Sequence, residues 1–395
     1  MSFYDVLSRG DEALEQNRPR NSKIWNFFSH LTCKTVIGAS KIVMGTLYDV
    51  EVKGLNNLDD AMIDARKQDR GIMTVMNHMS TCDDPFLWAC FPWRNYKDLD
   101  DIRWGLAATN ICFTNIITTR FFSLGKILPC DRFGRGPFQP GLDACVRLLS
   151  PDDTLDEKHI YHNDGVSLSS LIPKGIPDSR NFLSSQYSPP VLRKKTSLVH
   201  VFPEGFVCQL QSPFNNSMRF FRWGTARMIL EPTVAPVIVP IFSDGFEKIK
   251  PEKLEDTMFD FFTFYNRGSK VTVNIGKPLD SQVIESFRDE WKRLCDKYHD
   301  VGDFSRMTDE LKFGEEARKL RSKVSAYLRE QVARLRIENG FSEEDPRFSN
   351  IQWWSKYTAS KGESDKEVKF MGLNWAVRDY QKNVVLYDDR GREVK

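Results

Sequence analysis

The sequence has no stretch long and apolar enough to span a bilayer. A transmembrane helix needs about 20 predominantly apolar residues, and the longest uncharged run, WGLAATNICFTNIITT between Arg103 and Arg120, is shorter and rich in Asn and Thr. None of the eight cysteines stands in a C-x-x-C spacing, which argues against a zinc site or a redox pair. No apolar core marks a leader peptide either. The first fifteen residues carry Asp5, Asp11, Glu12 and Glu15, against both a secretory signal and a cleaved mitochondrial transit peptide. No nucleotide-binding glycine loop is evident. Net charge is nearly absent at +2, so nothing in the whole chain draws nucleic acid, and any attraction to an anion must come from local patches.

What is present is a globular composition, 41% hydrophobic and 28% charged over 395 residues, enough for one catalytic-sized domain with appendages. One local patch stands out. From Gln16 to Tyr48 there is no acidic residue, while Arg18, Arg20, Lys23, Lys34 and Lys41 alternate with Trp25, Phe27, Phe28, Leu31 and Ile42. That mixture suits the headgroup region of an anionic membrane surface, and residues 1–50 are therefore expected to form a membrane-associating segment.

Periodicity then predicts strands at Thr46–Val52, Gly71–Met76, Ile102–Ala107, Lys126–Cys130, Leu198–Phe202, Val237–Phe242 and Val271–Ile275. Between them it predicts helices at Leu58–Lys67, Asp84–Cys90, Asn110–Phe122, Gly141–Leu149 and Met218–Leu230. Residues 150–196 are rich in Ser, Asp and Pro and read as a polar surface insertion. Beyond Ser281 the texture is helical, with Ala317, Leu320, Val324, Leu328, Val332 and Leu335 on one face, and the last residues read as a loosely packed tail. The expected fold is α/β: a central mixed β-sheet flanked by helices over residues 51–300, with a helical C-terminal extension and tail over 301–395.

Chemistry is concentrated in NHMSTCDDPFLW, which begins where a buried strand ends. His78 and Asp83 are spaced to face each other across a turn into a helix. The carboxylate would accept the Nδ1 proton and leave Nε2 as a base, the arrangement of a serine hydrolase without its serine. Such a pair takes the proton from a hydroxyl that arrives with the substrate. Asp84 is expected to cap the helix, while Ser80 and Cys82 read as spacers rather than acylated nucleophiles. In LVHVFPEGF, Glu204 and Gly205 close a second buried strand, the glycine permitting close backbone approach and the carboxylate available to hold a polar substrate group. In LGKILPCDRFG, Arg132 follows a third apolar strand, placed to meet a phosphate. His200 reads as a core histidine, and His159 and His162 as solvated. For Arg103, Arg120, Arg219 and Arg222 the pattern leaves lipid contact and simple surface exposure equally open.

These blocks, in this order and together with APVIVPIF and SMRFFRWG, resemble the glycerolipid acyltransferase superfamily over nearly the whole chain. The resemblance implies that His78 is the base, that Asp83 orients it, that Arg132 holds phosphate, and that Glu204 with Gly205 binds substrate. The variant spelling is similar to that of members that exchange acyl chains between phospholipids and lysophospholipids without a metal or other cofactor. It further implies phosphatidylcholine and cardiolipin as substrates, in remodelling on mitochondrial membranes that face the intermembrane space, with oligomers or mitochondrial complexes as further partners. One departure stands out. Members that acylate phosphate monoesters carry Thr or Ser and then Arg after the third-block glycine, where this chain has Phe206 and Val207. A lysophospholipid, whose phosphate is a diester, fits the more apolar lining better. The competing expectations are an acyl-CoA-dependent lysophospholipid acyltransferase with the same residues, and a lipid-binding membrane protein without activity.

Overall fold

The computed structural model describes residues 2–17, 22–132, 136–152, 197–252 and 263–354, residues 367, 368 and 371, and the backbone of 386–387 and 393–394. Arg18, Arg20, His159, His162, most of the insertion and most of the tail lie outside the described residues.

Seven strands build the body: β1 Asp49–Lys53, β2 Ile72–Met76, β3 Gly105–Ala108, β4 Ile127–Cys130, β5 Leu198–Val201, β6 Val237–Asp244 and β7 Lys270–Ile275. Five form a mixed sheet in the order β1-β7-β6-β2-β5, parallel except for the β6–β7 pair. The parallel pair β3–β4 continues it through a bridge between Trp104 and Val199, where the Trp104 amide donates to the Leu198 carbonyl at 2.7 Å. The helices are α1 Tyr4–Asn17, α2 Lys23–Leu47, α3 Leu55–Lys67, α4 Asp83–Ala89, α5 Thr109–Cys112, α6 Ile116–Leu124, α7 Pro140–Leu148, α8 Trp223–Leu230, α9 Phe246–Ile249, α10 Ser281–Tyr298, α11 Asp309–Phe313 and α12 Glu315–Glu338.

The two-residue repeat of strands decides where each side chain goes. Met73 and Val75 of β2 enter a core with α1, α7, α8, α10, α11 and α12, whereas Ile72 and Met76 enter one with α2, α3, α4 and β7. All five residues of β2 are buried, because the strand is central and covered on both faces. The C-terminal helices therefore belong to the main core.

Three elements differ from their sequence expectation. α2 runs on to Leu47, so β1 starts at Asp49, after Tyr48 closes the helix with its amide on the Met44 carbonyl at 3.3 Å. The helix expected over Asn110–Phe122 is broken: α5 ends at Cys112, and Asn115 starts α6, its side chain accepting from the amides of Ile117 and Thr118 at 3.0 Å each. Residues 4–17, read as part of a membrane segment, fold as α1 against α7. Phe3, Val6 and Leu14 are in the core, and Asp11 takes the buried Arg147 at 2.7 Å. Gly10 is needed there, because a Cβ would lie 2.5 Å from the Asp143 carbonyl oxygen.

Candidate active site

β2 and β5 are parallel neighbours in register, Val75 opposite Val201. His78 and Glu204 each lie three residues past that pair, so the topology delivers both to the same level at the C-terminal edge of the sheet. Asn77 fixes the start of the turn: its side chain donates to the Ser243 carbonyl at 2.9 Å and accepts from the Ser243 amide at 2.8 Å, locking the end of β2 to β6.

The expected dyad is formed. Nδ1 of His78 lies 2.8 Å from Oδ2 of Asp83, the first residue of α4, and the same oxygen accepts from the amides of Met79 at 2.6 Å and Ser80 at 2.9 Å. Three donors on one oxygen are what an anionic acceptor collects. Burial pushes the Asp83 carboxyl up, and the His78 ring and the two amides oppose that shift. Nε2 has no hydrogen-bond partner among the described residues, and the ring, stacked on Phe202 at 4.3 Å, keeps 21% of its side-chain surface open.

Glu204 does something the sequence did not announce. Oε1 accepts the His78 amide at 2.7 Å and Oε2 the Arg219 amide at 2.7 Å, so this buried carboxyl ties the turn that carries His78 to the segment before α8. Burial pushes it up to about 8 despite those two amides. Glu204→Gln leaves one of the two amides facing an NH₂ group in place of an acceptor. It is expected to lower stability by about 1–3 kcal/mol, measured by denaturant unfolding in detergent. Gly205 sits at φ +75, and a Cβ on it would come within 2.7 Å of Arg222 Nε, so glycine is required for this turn.

Several expectations are corrected. Asp84 does not cap α4, which has no side-chain cap: its carboxylate turns to Arg103, accepting Nε at 2.9 Å and a second contact from Nη2, with Trp88 at 3.2 Å. Arg103 is thus buried in an ion pair rather than exposed. Lys41, counted in the basic patch, turns inward to the carbonyls of Ala89 and Phe91 and joins α2 to α4. The helix expected from Met218 begins only at Trp223, because the amides of Arg219 and Arg222 are used by Glu204 and by the Pro203 carbonyl. The lining past Gly205 is not short of cations either: Arg132, Arg219 and Arg222 all border the Phe206 ring, at 5.2, 4.7 and 4.6 Å from its centroid. Cys82, which burial pushes up to about 11, is a thiol at neutral pH, in keeping with a spacer.

His200 is buried behind the site, with Nδ1 2.8 Å from Thr74 Oγ1 and no partner for Nε2. Burial lowers it to about 3, with Arg103 and His78 adding to the shift and Asp84 opposing it. The folded state thus binds fewer protons than the unfolded chain, where histidine titrates near 6.5. This contribution is fully present above about pH 6.5 and is lost as pH falls toward 3. Relative to His200→Gln, the wild type is expected to lose about 2 kcal/mol between pH 6.5 and roughly pH 5, read from unfolding curves at the two pH values.

The dyad opens into a cavity of about 1550 Å³. Its walls include Val36 and Ile37 of α2, Ile111 of α5, Phe121 and Phe122 of α6, and Ala326 of α12, together with the three arginines. Next to it the surface is unusually apolar. Ile24, Phe27, Phe28 and Leu31 follow a helical stripe along α2 that points outward, and Ile116, Ile117 and Phe121 expose a matching face of α6. The two helices meet where Ser29 Oγ donates to the Leu124 carbonyl at 2.7 Å. No helix among the described residues is long and apolar enough to cross a membrane.

Residues 49–244 match a family model described as Acyltransferase. The chain is 48% identical over 383 residues to Tafazzin of Saccharomyces cerevisiae, covering 97% of each protein. It is 29% identical to Tafazzin of Drosophila melanogaster, over 67% of this chain and 54% of that one. It is also 29% identical to the N-acylphosphatidylethanolamine synthase of Arabidopsis thaliana, over 58% of this chain and 63% of that one.

Proposed function

The chain belongs to the tafazzin family of acyltransferases, and from that premise we propose that it moves fatty acyl chains directly from a phospholipid to a lysophospholipid, without coenzyme A. The observation that carries the reading is the His78–Asp83 dyad opening into a large apolar cavity whose walls are continuous with the exposed faces of α2 and α6. Donor and acceptor chains would enter that cavity from the bilayer itself.

Nε2 of His78 takes the proton of the free lysophospholipid hydroxyl, and the alkoxide oxygen attacks the ester carbonyl of the donor. The tetrahedral intermediate collapses by breaking the bond to the donor glycerol oxygen, which recovers the proton from Nε2. One ester is made and one is broken, so no co-reactant is consumed. Asp83 stabilises the imidazolium in between. The amides of Met79 and Ser80 are committed to Asp83 and are not free to hold the oxyanion. Glu204 acts as a brace for His78, and Arg132 holds phosphate.

Family membership is the ground for proposing cardiolipin and phosphatidylcholine as substrates, and for placing the protein on mitochondrial membranes facing the intermembrane space. The exposed stripe of α2 with the face of α6 supports a one-leaflet attachment, α2 being the membrane-associating part of the first fifty residues. The test is to incubate the purified protein with labelled phosphatidylcholine and a lysophospholipid, with and without CoA. Exchange in its complete absence is expected; strict dependence on acyl-CoA would replace this reading with an acyl-CoA-dependent acyltransferase.

A further inference from the structure

Most deeply buried arginines of this fold have an anion beside them. Arg227 meets Asp143 at 2.7 Å and Glu231 at 2.6 Å, Arg147 meets Asp11 at 2.7 Å and Asp152 at 2.5 Å, and Arg103 meets Asp84. Arg219 and, half-buried beside it, Arg222 break the rule. Arg219 is only 3% exposed, yet among the described residues its guanidinium makes no hydrogen bond and no ion pair, and Nε is buried without a partner. It is held by rings alone: Phe206 at 4.7 Å, Trp354 at 4.7 Å and Phe220 at 5.7 Å. Arg222 reaches only main-chain carbonyls, those of Glu204 at 3.3 Å and Arg132 at 2.9 Å.

Bringing such groups out of water is costly when nothing negative answers them. Burial lowers Arg222 to about 9, and its neighbours Arg219 and Arg132 push it further in the same direction. Like charges crowded around one ring, bordering the cavity that also holds His78, describe a site waiting for an anion. The aromatic faces hold each fork without occupying its N–H groups, so those of Arg219, and those that Arg222 does not spend on the two carbonyls, stay available for oxygen atoms. Gly205 contributes by omission, since any side chain there would meet Arg222.

We infer that Arg219 and Arg222, spread over Phe206 beside Arg132, form a phosphate-binding subsite that holds the phosphodiester of a lipid headgroup while the lipid's glycerol oxygen lies at His78. The inference rests on the transacylation reading for the placement of that oxygen, but not for the binding itself. It assigns to Arg219 and Arg222 the cation that the residues after Gly205 do not supply.

The experiment uses ether lipids, which carry no acyl ester to donate, so with no acyl donor present no transfer can occur and the result does not depend on which donor the protein uses. The full-length protein in detergent is titrated with an alkyl lysophosphatidylcholine and with an alkylglycerol of equal chain length, which lacks phosphate. Arg219→Gln and Arg222→Gln are each expected to weaken binding of the phosphate-bearing lipid by about tenfold to a hundredfold. Alkylglycerol binding should stay unchanged, and Arg219→Lys should recover part of the loss. Should Arg219→Gln fail to fold, Arg222→Gln and Arg219→Lys carry the same comparison. Equal binding of the phosphate lipid by wild type and variants would overturn the inference, as would a parallel loss with alkylglycerol. So would inorganic phosphate binding as tightly as the lipid, because the ligand would then be the free anion. If these affinities behave as expected while acyl exchange without CoA is absent, the subsite stands and the transacylation reading falls.

Discussion

Asp83→Asn is expected to fold, to attach to membranes as the wild type does, and to exchange acyl chains about 10²–10⁴-fold more slowly. The reason lies in the three donors that share Oδ2. An asparagine can satisfy Met79 and Ser80 only by placing its carbonyl oxygen where Oδ2 was, and in that orientation it still accepts from Nδ1 of His78. The imidazole therefore keeps its tautomer, and what disappears is the negative charge that stabilises the imidazolium once the proton has moved. The NH₂ group then falls on the site of Oδ1, which is buried without a hydrogen-bond partner, so a stability loss of about 1–3 kcal/mol should accompany the kinetic one. His78→Ala removes the proposed base itself and should abolish exchange while vesicle binding persists. Acyl exchange at near wild-type rates in a folded Asp83→Asn protein would show that this aspartate only shapes the turn. Loss of lipid binding together with activity in His78→Ala would favour a headgroup-recognition protein.

The second large effect concerns attachment. Replacing Ile24, Phe27, Phe28 and Ile117 with serine should release the protein from vesicles that the wild type holds through a high-salt wash. Phe27 and Ile117 are 65% and 78% exposed, so their removal leaves the core untouched. With partial insertion of four large apolar side chains the change is about 5 kcal/mol, roughly a thousandfold or more in partition. Trp25 is deliberately left in place. The Arg120 guanidinium lies 5.5 Å from its ring, linking α2 to α6, and changing it would confound attachment with folding. Co-sedimentation with cardiolipin-containing vesicles measures the result. Complete release of the wild type by salt alone would mean that charge, not insertion, holds it.

The buried strands were legible because they are short apolar runs bounded by turn residues, and the H-x-x-x-x-D spacing was legible because both partners lie within one turn. The same holds for Gly205, whose conformational freedom is a property of the residue. Where the reading failed, a distant partner decided. SMRFF has the apolar pattern of a helix start, but the amides of Arg219 and Arg222 are claimed by groups up to nineteen residues earlier in the chain, and the helix waits until Trp223. Asp84 beside Asp83 has the composition of a cap, yet Arg103 offers it a stronger bond than helix amides do. α1 carries several acids and was read for what it lacks; its amphipathic face shows only when α7 is set against it. The unpaired state of Arg219 could not be seen from any local pattern, since it depends on rings brought in from Phe206 and Trp354.

Glu204 grips the backbone of His78 with one oxygen and that of Arg219 with the other. The proposed base and the inferred anion site are thereby mounted on a single bracket, which is expected to hold the span between them nearly constant from one lipid to the next. Such a bracket works as a caliper. It gauges the number of bonds between a phosphate and the hydroxyl to be acylated, and it takes no reading of the hydrocarbon beyond. A lipid whose hydroxyl stands one carbon farther from its phosphorus should be refused however well its chain fits, whereas chains of different length should pass with little distinction.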